Sequence, residues 1–288
     1  MEYLRGNAAA SAMGLFVICR YLSAYEDGRT EAELRDALEV LRAAQGASDG
    51  AAAVLTASLA IGDAIGILTR TTATSPWCLE SSAAANLSEA KGQWDGFRGH
   101  LLWKIMEQGR AQAGETGEAP DLIRGLTWFM QLNPMDPLGL SWEEGPYPLL
   151  KALNFDAIER SDQWRPFRRW ALALGFARAS ETAKVLLPDA STAITGQIPF
   201  LPRAGSAAEW LKLLRGRLPV LGGQVMLEQL PAGGTAWTSL PPGLILGLLK
   251  LESAGVLSLE SSDDASDVVA LGLGGSSRQV GRIVVKES

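Results

Sequence analysis

Apolar positions recur at helical spacing through most of this chain and give way to alternation only in short stretches that follow glycines. Met13, Phe16, Val17, Cys19 and Leu22 predict a first helix over Ala8–Ala24, with Asn7 placed to cap it and Arg20 interrupting its apolar face. Asp27-Gly28 marks a turn. Thr30 and Glu33 stand at capping-box spacing before a second helix whose inner face is Leu34, Ala37, Leu38 and Leu41. Val54, Leu55, Leu59 and Ile61 predict a third helix over Ala51–Ile65. Gly66 ends it, Ile67–Thr69 reads as a strand, and Trp77–Leu79 reads as its return.

Ser81–Gly92 then reads as a linker. Helices follow over Trp94–Glu107 and Asp121–Gln131, separated by a polar, glycine-bearing loop at Ala111–Pro120. Four prolines make Asn133–Pro148 irregular, and Pro148–Phe155 adds a short helix. A helix capped by Ser161 or Asp162 runs to Gly175, and Lys184–Leu187 is a strand stopped by Pro188. Thr192–Ile198 is another short helix. Gly205–Leu218 opens the last unit, and Val220–Leu230 is either helix or a strand broken at Gly222-Gly223. Pro241–Ser253 is an apolar helix, Gly255 breaks it, Val256–Glu260 alternates as a strand, and Val268–Leu273 returns across an acidic turn.

Three places share one ending: IGDAIGIL at Ile61–Leu68, WALALGFA at Trp170–Ala177 and LESAGVLS at Leu251–Ser258. Each is an apolar helix end, a glycine where a left-handed residue is required, and a pair of residues entering a strand. The glycines lie 109 and 80 residues apart, unequal spacing that excludes a solenoid and indicates reuse of one kind of domain. The predicted fold class is mainly α (α+β): two to three winged-helix-like units, each three helices with a small antiparallel hairpin. The expected domains are residues 1–80, 93–204 and 205–288, with the central one helical and winged-helix-like.

Charge narrows what such units can do. The net charge is −6, and residues 1–80, 81–204 and 205–288 each carry more acidic than basic groups, so nucleic-acid contact requires a local patch. The first reading helix has no basic residue, and the last offers only Lys250 beside Glu252, with an acidic wing that repels phosphate. The central helix differs. Arg165, Arg168 and Arg169 lie on it with Trp164 and Trp170, and Arg160 and Arg178 flank it. These five are the candidate nucleic-acid contacts; the alternative is a solvated basic face pairing with Asp156, Glu159 and Asp162. In the last unit Leu244, Leu248, Asp263, Asp264 and Asp267 are the candidate partner-docking residues, an apolar helix with an anionic wing.

No catalytic residue is assigned. The sequence has no GxSxG, HExxH, CxxC or dinucleotide fingerprint, and the glycine-rich Gly272–Gly281 lacks a GK[ST] ending. One histidine, His100, and two distant cysteines, Cys19 and Cys78, argue against a structural zinc site. No cofactor, metal or small-molecule ligand is expected. No run approaches 18 uncharged apolar residues, so no membrane span is expected, and Glu2 with the charges after Cys19 suits an amphipathic helix better than a signal peptide. A cytoplasmic protein is the expectation.

The stretches SDQWRPFRRWALALGFA, VLLPDASTAI, LRGRLPVLGG and LLKLESAGVLSLESSDDASDVVAL together resemble DpdG-type proteins. These are accessory components of bacterial gene clusters that place 7-deazaguanine derivatives in DNA and restrict unmodified DNA. The resemblance spans most of the chain through packing motifs, and it transfers no catalytic residue. It implies a non-enzymatic scaffold or adaptor of a DNA-modification or phage-defence assembly, with other proteins of that system as partners. The alternative is a regulator or subunit that engages double-stranded DNA through the central arginine helix.

Overall fold

The computed structural model describes residues 1–38, 50–88, 93–232, 237–261 and 268–286. Leu41 and the wing acids Asp263, Asp264 and Asp267 lie outside the described residues. The fold is mixed α+β, with twelve α-helices and small antiparallel sheets among the described residues. The chain divides into two compact units. One comprises Met1–Leu122 and Ser161–Ala173, and the other Ile123–Arg160 and Leu174–Ser288.

The first unit opens on α1 (Ala12–Leu22), shorter than the sequence predicts. Ser11, not Asn7, is the cap: its hydroxyl accepts from Gly14 N at 3.0 Å, while Asn7 donates to the Glu2 carbonyl. Arg20 does not break the helix and is exposed on its outer side. The Thr30/Glu33 capping box is complete at the head of α2 (Glu31–Ala37). Helix α3 (Gly50–Ala64) leads into β1 (Leu68–Thr69), which pairs with β2 (Cys78–Leu79). Arg29, between α1 and α2, bridges to Trp77 just before β2.

Two polar stretches expected to be irregular are helical. The supposed linker contains α4 (Ser81–Ser88), because the Glu80 carboxylate accepts from Ser82 N and Ala83 N and so caps it, and because Ala83 and Leu87 are fully buried. Helix α5 (Gln93–Thr116) continues through most of the expected loop. Its polar residues have partners: Gln108 bonds Gln112 one turn along the helix, and the Gln108 amide oxygen accepts from the distant Tyr3 hydroxyl.

In chain order the next elements are α6 (Asp121–Met130), β3 (Leu138–Gly139), α7 (Tyr147–Leu153), α8 (Ser161–Leu174), β4 (Ala177–Ser180), β5 (Val185–Pro188) and α9 (Ser191–Thr195). The three strands form one sheet in the order β3-β5-β4. Then follow β6 (Ala204–Ser206), α10 (Ala207–Arg217), α11 (Gln224–Leu227), α12 (Pro242–Ser253), β7 (Leu257–Glu260), β8 (Val269–Leu273), β9 (Ser276–Val280) and β10 (Arg282–Val285). The open choice at Val220–Leu230 resolves as the short helix α11.

The last unit corrects one expectation. β7 does not pair with β8. It pairs with β10, in a sheet ordered β6-β10-β7, while β8 and β9 form a hairpin of their own. The reason is local: Gly274-Gly275, both at positive φ, close a two-residue turn that sets the register Leu273↔Ser276 through Val269↔Val280. In both three-stranded sheets the last strand in sequence therefore lies in the middle.

All three predicted helix-ending glycines, Gly66, Gly175 and Gly255, have positive φ. At two of them the hydrogen bonds are the same: Ile67 N to Gly62 O and Val256 N to Leu251 O, each 2.9 Å, the six-to-one closure of a Schellman cap. Among the described residues no helix is long and apolar enough to cross a membrane.

Candidate functional site

Helix α8 places its aromatic residues inward. Trp164, Phe167 and Trp170 are buried, with the first two stacked at 5.2 Å and the third edge-on to Tyr3 at 5.9 Å. Its arginines do not form one open patch. Arg169 donates to the Ala8 and Ala10 carbonyls, both at 2.6 Å, and burial lowers its basicity. Arg168 is half-buried and Arg165 is exposed. Arg160, also exposed, and Arg178 belong to the other compact unit. Asp156, a suggested partner of the cluster, pairs with Arg124 at 2.7 Å.

Arg178, on β4, has its own constellation. Its Nε lies 2.7 Å from Asp189 Oδ2, and Lys250 Nζ from α12 bonds the same oxygen. Asp189 Oδ1 accepts from Ser191 N at 2.8 Å. The carboxylate is buried while the two cations stay partly in solvent. Burial alone would raise the Asp189 carboxyl, but Lys250 and the Ser191 hydroxyl and amide outweigh it and hold the group below its usual range. Sequence reasoning missed Asp189; its signal is one carboxylate in the apolar stretch VLLPDASTAI. Beyond this cluster, Glu252 of α12 is closed by a two-pronged pair with Arg278, at 2.8 and 2.9 Å, and accepts from Leu259 N.

Leu244 and Leu248 are fully buried, so they belong to the core and are unavailable to a partner. The apolar character of α12 serves close packing: a Cβ added at Gly247 would meet Ser191 N at 2.9 Å, so only glycine lets α9 approach. Exposed apolar surface lies elsewhere. A groove of about 890 Å³ is lined by Ile198, Pro199, Leu201, Val256 and Val285, with Arg203 and Lys286 beside them. Phe200, between two of those residues, is 62% exposed under the Arg217 guanidinium.

One cluster has the residue types of a hydrolytic relay but not its wiring. Ser82 Oγ is 3.4 Å from His100 Nε2, yet Glu80 bonds the serine hydroxyl and the α4 amides and not the far side of the imidazole. Among the described residues, no three His, Cys, Asp or Glu side chains are placed to share a metal ion. Cys19 is buried, and burial pushes its thiol up, away from reactivity.

Residues 2–265 match a family model described as DpdG-like. No curated protein and no solved structure matches the chain.

Proposed function

This chain belongs to the DpdG-like family, and from that membership we propose that it is a non-catalytic adaptor, built of winged-helix units, within a bacterial DNA-modification or phage-defence assembly. Family membership, the observation that carries the reading, ties the chain to a DNA-modification system. The winged-helix part is supported by topology. A helix, a first strand, further helices and two closing strands of the same sheet, the last of them central, occur in order at α6 to β5 and, with the β8–β9 hairpin inserted between the closing strands, again at α9 to β10. Helices α1–α3 with the Arg29 bridge and β1–β2 follow the same plan.

Docking of proteins, more than reading of DNA, is supported by where the side chains go. Arg169 is engaged with backbone carbonyls and is not presented to a phosphate. The groove beside Phe200 offers the exposed apolar surface that a partner would cover. Expressed with its neighbouring genes, the tagged chain is expected to co-elute with at least one of their products, and Val256→Asp or Phe200→Asp to release it. A chain that elutes alone sinks the adaptor reading. Loss of duplex DNA binding in the triple change of Arg165, Arg168 and Arg169 to Ala would favour DNA engagement instead.

A further inference from the structure

The cluster around Asp189 holds more positive charge than its carboxylate can neutralise. One oxygen, Oδ2, serves both Arg178 and Lys250, and the other is taken by Ser191 N. Two cations on one carboxylate leave a local charge of plus one. Arg178 approaches through Nε, so the pair of terminal nitrogens that forms the guanidinium fork has no hydrogen bond among the described residues. The contrast with Arg278 is direct, because there both terminal nitrogens close on Glu252 and neutralise it. Both cations reach solvent above a buried acid. The Asp189 side chain is 0% exposed, against 57% for Arg178 and 35% for Lys250.

Sharing one oxygen also fixes the geometry. Both nitrogens are within hydrogen-bonding distance of Oδ2, which holds them within roughly 5 Å of each other. Three elements are involved: β4 carries Arg178, the β5–α9 junction carries Asp189, and α12 carries Lys250. The cations are thus oriented before any ligand arrives, and the buried acid that orients them is itself shielded from solvent. A planar fork beside a compact ammonium suits a tetrahedral oxyanion with several acceptor oxygens. The nearest other acid on α12, Glu252, is already neutralised and does not oppose an incoming anion.

We propose that Arg178 and Lys250 form a binding site for a phosphate group, with Asp189 as the positioning residue. The inference does not rest on the adaptor reading. The phosphate is either a free one, as in pyrophosphate or a nucleotide, or the backbone of a nucleic acid, and the same side chains would meet both.

Two titrations of the full chain at low salt test it, one with pyrophosphate followed by calorimetry and one with a short labelled DNA duplex followed by anisotropy. Arg178→Gln and Lys250→Gln are each expected to weaken binding about five- to tenfold. Each should lower the salt slope for the duplex by about one. Arg178→Lys, which keeps the charge and removes the fork, should fall between wild type and Arg178→Gln. Arg20→Gln, an exposed arginine of the other compact unit, should leave binding unchanged. Thermal melts establish that each variant is folded. Binding of pyrophosphate alone assigns a free phosphate, and binding of the duplex assigns the backbone; either supports the site. If folded wild type binds neither probe, or if Arg20→Gln weakens binding as much as Arg178→Gln, the proposal is overturned.

Discussion

The amides of Tyr3, Leu4 and Arg5 all end on the Asp121 carboxylate, at 2.8, 2.8 and 3.1 Å, and Asp121 is fully buried. Those donors lose their acceptor in Asp121→Ala, and buried amides without partners are costly. The change should destabilise the chain by about 3 kcal/mol in denaturant unfolding. Asp121→Asn, which keeps one acceptor oxygen, should cost less. His100 predicts a pH dependence. Burial and then Lys104 hold its imidazole below the ordinary value, with Glu80 pulling weakly the other way. A base that binds its proton less well when folded leaves stability intact above its unfolded value, about 6.5, and erodes it as pH falls below that. The unfolding midpoint should therefore decline on acidification from about pH 7 to pH 5.5. The decline should be smaller in His100→Gln; an equal decline would show that another group titrates.

At the scale of elements, the helix-ending glycines were the most legible feature of the sequence, because a residue that must adopt positive φ leaves a chemical signature. They also separate by environment. A Cβ at Gly66 or Gly255 would meet nothing within 4 Å, whereas at Gly175 it would meet Ala193 N and Thr192 Cβ, both at 2.8 Å. Gly66→Ala and Gly255→Ala should each cost about 1–2 kcal/mol. Gly175→Ala should cost more than either, as read from urea midpoints. Helix α4 and the end of α5 were hidden in the sequence, since their stability comes from Glu80 and from partners distant along the chain rather than from an apolar stripe. The pairing of β7 with β10 was hidden because alternation identifies a strand but not its neighbour. At the candidate site, Arg178 was legible as a cation, but not Asp189 beneath it. The inward course of Leu244 and Leu248 was not legible either, since an apolar helix face reads alike toward a core or a partner.

For the whole molecule, the division into units matters more than the count of repeats. The first compact unit is discontinuous in sequence, with Ser161–Ala173 completing Met1–Leu122. That later segment supplies Trp164, Phe167 and Trp170, all buried, and Arg169. A fragment of residues 1–122 should therefore lack a cooperative transition in near-ultraviolet circular dichroism and should bind a hydrophobic dye. A sharp transition would show that the first segment folds unaided. The grip of Arg169 on the Ala8 and Ala10 carbonyls has a consequence for synthesis. On the ribosome the head of the chain emerges long before residue 169 is made, an interval of roughly 10–30 s at ordinary elongation rates. For that time Tyr3 and Leu4 have no finished cavity to enter, and a nascent-chain chaperone would find them there.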